Sequence, residues 1–194
     1  MYKGTRSIFK RYWRAYGGSS ALRKSPYLHL ALLLAAITCH YWSNEAWWDQ
    51  PLAILPNLLG FSLGGLAMLL SFGNHEFQKI LSEREQGSER PTVYLEISAT
   101  FIHFMLMQLA AILIAIVFKS LDFYFPWPAQ LINIVQGAKV CFSAIGYLLF
   151  IYSITCMVSA IFAVFRMTSW FETFQNPQNL EHESQSNLSS PLDF

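Results

Sequence analysis

An all-α, polytopic integral membrane protein is the fold class that the sequence predicts, with four transmembrane helices and an N-terminal interfacial amphipathic helix. Three observations predict it. Charged residues are only 13% of the chain and apolar residues 54%, where soluble domains carry roughly 25% charged residues. Residues 52–73 (LAILPNLLGFSLGGLAMLLSFG) contain no charged side chain. As a helix they extend about 33 Å at ~1.5 Å per residue, which matches a hydrocarbon core of ~30 Å. Three more apolar runs follow the same rule.

The first 24 residues hold Lys3, Arg6, Lys10, Arg11, Arg14, Arg23 and Lys24 and no acid. Within YKGTRSIFKRYWRAY the apolar set Ile8, Phe9, Tyr12, Trp13 and Tyr16 is spaced for one helical face. The segment reads as a cytoplasmic helix lying on an anionic inner leaflet, with its basic residues on lipid headgroups. Each such residue contributes on the order of 1 kcal/mol near the surface. Basic and aromatic interleaving also suits nucleic acid, but the adjacent membrane makes lipid the expected partner and direct nucleic-acid binding the poorer reading.

The transmembrane domain is expected over residues 25–172, with spans at about 27–42, 52–73, 93–118 and 140–165. The first is short, and Tyr41, Trp42, Trp47 and Trp48 form an aromatic belt at its end. The long basic lead and the lack of a small-residue cleavage site before the tryptophans make it a retained span rather than a signal peptide. The second carries Ala53, Asn57, Gly60, Gly64, Ala67 and Ser71, which form one seam of small or polar residues on a helix. In lipid such a seam lets backbones approach closely. It serves either packing inside one subunit or a contact between subunits, which includes lining a central opening.

The cytoplasmic loop 74–92 contains HEFQKILSER at 75–84, an amphipathic stub expected to extend the second span. Phe77, Lys79, Arg84 and Arg90 make the loop a candidate binding site for a cytosolic protein. The third span aligns Glu96, Thr100 and His103 on one face, with Met107 beyond them. A carboxylate and an imidazole in a span are costly, so these residues are a candidate polar pathway. The bland alternative has Glu96 reaching cytoplasmic water and His103 satisfied within the bundle. On the fourth span Lys139, Ser143, Gly146, Phe150, Ser153, Met157 and Ala160 share a stripe. Lys139 there either snorkels to the interface or joins a ring of lysines at a pore mouth. Residues 173–194 have the composition of a disordered cytoplasmic tail.

Orientation follows from Lys and Arg near the span ends. With the N-terminus inside, only Lys119 and Lys139 of the 13 basic residues lie outside, and both termini are cytoplasmic. The cysteines Cys39, Cys141 and Cys156 form no C-x-x-C pair; Cys39 and Cys141 would lie near the same outer face, and spacing alone does not say whether they pair. No nucleotide, hydrolase or metalloprotease motif is present, so neither catalytic residues nor a cofactor or metal are expected, and the chain is not read as an enzyme.

In length, span count and the stretch PNLLGFSLGGLAMLLSFG, residues 25–172 resemble the small four-span membrane subunits of bacterial phage-defence systems, including the Kiwa type. The resemblance carries over no functional residue. It implies a homo-oligomer in the bacterial inner membrane that senses envelope disturbance and works with a cytosolic effector. Two functions are therefore expected in competition: an oligomeric sensor or scaffold, and an oligomeric pore that changes membrane permeability. The scaffold is favoured, because His103 and Gln108 are a thin polar supply for a water-filled path.

Overall fold

The computed structural model describes residues 2–44, 46–71, 73, 75–83, 91–121 and 129–189, with side chains for 4–44, 46–71, 73, 75–83, 91–121 and 133–176. Among the described residues the chain is helical throughout, with no strand. The helices are α1 (Tyr2–Tyr16), α2 (Gly18–Lys24), α3 (Pro26–Ile37), α4 (Cys39–Asn44), α5 (Asp49–Ser71), α6 (His75–Ser82), α7 (Val93–Leu121) and α8 (Ala129–Ser189).

Helix α7 is the hub, packed against α1, α5, α6 and α8, while α3 and α4 lie on α8. Helices α5 and α7 run antiparallel. Asp49 at the start of α5 pairs with Lys119 at the end of α7 at 2.9 Å, and Leu69 near the end of α5 shares a cluster with Ile97 near the start of α7. The ion pair is exposed at both ends, so it is worth at most about 1 kcal/mol and marks register rather than stability.

Three helices, α5, α7 and α8, are long and apolar enough to cross a membrane. The first span expected at 27–42 is not among them, and its helix is interrupted at Thr38. The apolar helix there, α3, has 12 residues and rises about 18 Å at ~1.5 Å per residue. It starts with Pro26 in the first turn, where a missing N–H costs nothing. It ends at Thr38, whose hydroxyl donates to the Leu34 carbonyl at 2.7 Å. Such back-bonding bends helices. The Trp42 indole N–H then reaches back from α4 and donates to the Ala35 carbonyl at 2.8 Å, which holds the bend in place.

The outward surface is what hydrocarbon requires. Phe61 and Met68 are 84% and 79% exposed, and Leu33, Phe162 and Phe165 also point away from the bundle. A surface with this many large apolar side chains would be an aggregation liability in water. Three apolar clusters fill the interior among the described residues, the smallest of them, Tyr12, Ala15 and Ala99, where α1 meets α7. Trp47, Trp48, Leu55, Ala111, Ala115, Tyr147 and Phe150 form the one nearer the Asp49–Lys119 end. Leu69, Phe77, Ile97, Phe101, Phe104, Tyr152 and Met167 belong to the one nearer the start of α7. Most of the stripe read on the fourth span lies on the buried face of α8: Ser143, Gly146, Phe150, Ser153 and Ala160 are buried, Met157 is half-buried and Lys139 is exposed.

The stub after α5 does not continue that helix. Gly73 adopts φ +86°, a left-handed stop that favours glycine, and α6 starts anew as a separate helix. Nor is 173–189 the irregular tail that its composition suggests, because α8 continues to Ser189. Extending a formed helix needs no new nucleus and adds one hydrogen bond per residue. Phe174 also anchors the first turn of the extension, with its ring 5.5 Å from that of Phe77.

Gly146 tests the packing. A methyl group there would overlap the indole of Trp47, which is fully buried, and would stand 3.0 Å from Ile114 Cγ2. Overpacking of this kind costs about 1–3 kcal/mol. Gly146→Ala is expected to lower the thermal unfolding midpoint in detergent, while Gly60→Ala, with open space around its new methyl, leaves it in place. An unchanged midpoint for Gly146→Ala would contradict the Trp47 contact.

Candidate functional site

The most built polar arrangement lies where α1 meets the bundle. Tyr12 and Tyr16 stand one turn apart on α1 and therefore share a face. Tyr12 Oη lies 2.7 Å from His103 Nδ1, and Tyr152 Oη on α8 lies 3.0 Å from His103 Nε2. Tyr16 Oη lies 3.4 Å from Tyr152 Oη. The Tyr16 ring also stacks on the imidazole, with centroids 3.9 Å apart and planes at 18°. Ala15 packs in the same place against Ala99.

A neutral imidazole has one donor and one acceptor, and a phenol can supply either complement. Two proton arrangements satisfy the whole chain. In one, Tyr12 donates to Nδ1, Nε2–H donates to Tyr152, and Tyr152 donates to Tyr16. In the other, every bond is reversed. Burial pushes the Tyr12 phenol up to about 12, with the neighbouring Tyr16 adding to the shift. Tyr16 is also raised by burial, partly offset by its hydrogen bond with Tyr152. Both phenols of α1 are therefore protonated at neutral pH and available as donors. Both ring nitrogens of His103 are engaged by phenols, so the arrangement ties three helices together through one histidine.

The residues expected to form a polar pathway do not line one inside the subunit. Glu96 is exposed, Thr100 donates to the Glu96 carbonyl at 3.0 Å within its own helix, and only His103 turns into the core. Gln108 is fully buried on α7, and neither of its amide atoms has a hydrogen-bond partner. The Trp47 indole N–H is in the same condition. Among the described residues, no group of three or more His, Cys, Asp or Glu side chains is placed to hold a metal ion. All three cysteines are free thiols, with Cys39 and Cys141 exposed.

The seam on α5 is brought together and left uncovered. Ala53, Asn57, Gly60, Gly64, Ala67 and Ser71 are all exposed, and a Cβ added at Gly60 or Gly64 would meet nothing within 4 Å. The face of α5 that packs inward is a different one, formed by Pro51, Leu55, Ser62 and Leu69. Packing within the subunit is therefore not what the seam does.

The basic residues Arg6, Lys10, Arg11, Arg14, Arg23 and Lys24 are exposed, and the Lys3 side chain lies outside the described residues. Ile8 and Phe9 on α1 are exposed as well. Of the loop residues singled out for a partner, Phe77 is corrected. It is buried, with its ring edge-on to Phe171 at 5.1 Å, so its apolar spacing reflects internal packing. Lys79 is exposed, and Arg84 and Arg90 lie outside the described residues. Sequence reasoning missed Tyr12, Tyr16 and Tyr152 as partners of His103. The available signal was a costly imidazole in a span that had to be satisfied by something.

No family model matches the chain, and no curated protein or solved structure does either.

Two outcomes test the tyrosine–histidine chain. The unfolded phenol titrates near 10.0 and the docked one near 12, so docking of α1 is complete below pH 10 and weakens as pH rises through 12. Phenolate absorbance should show this late step, and Tyr12→Phe should shrink it, leaving the raised Tyr16. Tyr12→Phe and His103→Leu should also be non-additive in unfolding free energy, by the 0.5–3 kcal/mol typical of contacting residues. Simple additivity would dissolve the network.

Proposed function

We propose that this chain is an oligomeric scaffold or sensor subunit of a bacterial inner membrane, assembled through the α5 seam and working with a cytosolic effector. The observation that carries it is the uncovered seam. Lipid tails are as apolar as leucine, so spanning helices associate through close packing and polar contacts rather than water exclusion. Gly60 and Gly64 leave a flat track with open space above it. Asn57 exposes an amide on the same track, and an amide in hydrocarbon needs a partner. A second copy supplies both the surface and the partner, because the subunit's own packing uses the other face of α5.

In this reading α3 and α4 act together as the first of four crossings, bent at Thr38. Their combined run from Pro26 to Asn44 rises about 28 Å at ~1.5 Å per residue, close to a bilayer core. Four crossings place both termini in the cytoplasm, with Lys119 and Lys139 the two basic residues outside. The exposed basic residues of α1 then face an anionic inner leaflet. The cytoplasmic face offers α6, with Lys79 and Ile80 exposed, and the continuation of α8 from Arg166 to Ser189, about 35 Å at ~1.5 Å per residue. These are the surfaces we assign to the effector. The defence setting is the one that the layout resemblance implies. A pore is the weaker reading, because the tyrosines hold His103 and Glu96 stands away from the interior.

Gly60→Leu combined with Gly64→Leu is expected to convert the detergent-solubilised particle to monomer. A particle of unchanged mass would exclude the seam. Liposomes containing the native chain should retain trapped dye; leakage abolished by His103→Leu would favour the pore. Cysteine tags at residues 4 and 189 should stay unlabelled by an impermeant reagent in intact cells. Labelling at one end alone would mean that α3 and α4 do not cross.

A further inference from the structure

Two surfaces compete for one face of α1. Ile8, Phe9, Tyr12, Trp13 and Tyr16 form the kind of face with which an amphipathic helix enters a bilayer interface. In the bundle the middle of that face is taken by protein: Tyr12 and Ala15 are buried, and the Tyr16 ring stacks on His103. Ile8 and Phe9, toward the free end, stay 70% and 56% exposed. The same side chains cannot lie on α7 and in lipid at once. The joint behind them permits either. Gly17 and Gly18, between α1 and α2, have φ +98° and +64°, two successive left-handed positions that favour glycine. Depth permits either as well. His103 precedes Lys119 by about 24 Å along α7 at ~1.5 Å per residue. With Lys119 at the far boundary of a ~30 Å core, His103 lies about 6 Å below the near one. Interfacial helices settle at ~5–10 Å, so the seat on α7 and a place in the leaflet share one level and are joined by a sideways swing.

We propose that α1 is a hinged strap that exchanges between its seat on the bundle and the inner leaflet, and that anionic phospholipid draws it off. Charge selects this partner. Arg6, Lys10, Arg11 and Arg14 are exposed, and the first 24 residues contain no acid. Among the described residues none of the four is in an ion pair. Docked, the bundle occupies one side of α1 and lipid meets only the other. The roll of the helix is then fixed by Tyr12 and Tyr16, and Arg14 between them points where that roll puts it. Released, α1 turns until its apolar face lies in acyl chains and its basic side chains lie at headgroup depth. Anionic headgroups therefore bind the released state better, which is the difference a ligand needs to shift an equilibrium. Neutral lipid offers acyl chains without that charge, so the hydrogen bonds to His103 and Tyr152 keep the strap seated. Release takes Tyr12 from His103 Nδ1 and Tyr16 from the Tyr152 hydroxyl, so lipid charge is registered on α7 and α8 together.

The proposal rests on the reading that the chain sits in a bilayer, and not on the oligomer, because the α5 seam and α1 are separate surfaces. The test measures the distance between spin labels on the full chain in nanodiscs. Labels go on Ser7→Cys and Leu106→Cys, both exposed sites, with the exposed Cys39 and Cys141 changed to Ser and the labelled chain diluted in unlabelled chain. In phosphatidylcholine one short distance is expected. Mixing in phosphatidylglycerol should add a longer one and raise its share several-fold. Tyr12→Phe keeps the ring but loses the bond to His103, and should raise the longer share in both lipids. Arg14→Gln should leave the phosphatidylcholine result in place and blunt the response to phosphatidylglycerol. Gly60→Leu with Gly64→Leu should keep the response, so failure of the oligomer reading and failure of this one are distinguishable. Identical distances in the two lipids would make α1 a fixed member of the bundle and overturn the strap. A longer share that falls with phosphatidylglycerol would overturn it too, by showing that anionic lipid holds α1 in its seat. Release in phosphatidylcholine by a soluble oligonucleotide, without release by phosphatidylglycerol, would assign the basic face to nucleic acid instead.

Discussion

Hydrocarbon offers a polar group nothing to bond with, so every polar atom that enters the bundle must find a partner in the protein. Much of the architecture follows from that constraint. The carbonyl of Ala35, at the bend between α3 and α4, is met by the Trp42 indole. The Tyr27 carbonyl at the start of α3 accepts from the Thr155 hydroxyl of α8 at 3.0 Å, so the helix too short to cross alone is tied to one that is long enough. Ser62 and Ser153 spend their hydroxyls on carbonyls of their own helices. His103 binds three tyrosines, two through hydrogen bonds and one through its ring face. Among the described residues Gln108 and the Trp47 N–H are the exceptions, and both lie on the helices and loop that surround the α7–α8 contact.

The two faces of α5 show how one apolar sequence divides its work. Pro51, Leu55, Ser62 and Leu69 meet α7, and Gly65 comes within 3.8 Å of Phe101 when given a Cβ. The opposite side has the smallest residues and no covering. In water an exposed helix face would carry polar or charged side chains, because large apolar ones stabilise through the area they bury. In lipid, area alone gives no preference and closeness of approach decides. Leu55 and Leu69 pack inward, Phe61 and Met68 face outward, and the small residues form a separate track where a backbone of equal flatness can approach.

Length and charge were legible because they belong to the chain itself: a charge-free run such as 52–73 needs no tertiary partner to be recognised. The break at Thr38 was not, since it depends on Trp42 folding back onto Ala35. The seam's spacing was visible, but not the direction in which it faces, because both sides of α5 are apolar enough to pack. Phe77 shows the same limit. Its helical spacing was read correctly and its role was not, because Phe171 and Phe174 lie almost a hundred residues away in the chain. His103 stood out as costly, and its partners did not. Tyr12 precedes it by 91 residues and looked like part of an interfacial apolar face.

That reassignment changes what α1 is mechanically. Its basic side chains point outward while Tyr12 and Ala15 are buried against α7, so anything bound by the basic face is one helix diameter from the histidine. Buried hydrogen-bond chains fail as units, because losing one member leaves the next unsatisfied at a cost of about 1–3 kcal/mol. Docking of α1 is accordingly closer to two states than to a graded slide. A ligand moves such an equilibrium only through a difference in its affinity for the two states. Binding to Arg6 or Lys10 near the free end of α1 contributes equally whether Tyr12 is docked or not. Binding that also needs Arg14, which lies between Tyr12 and Tyr16, is sensitive to the docked geometry, and there surface chemistry and core packing become one equilibrium.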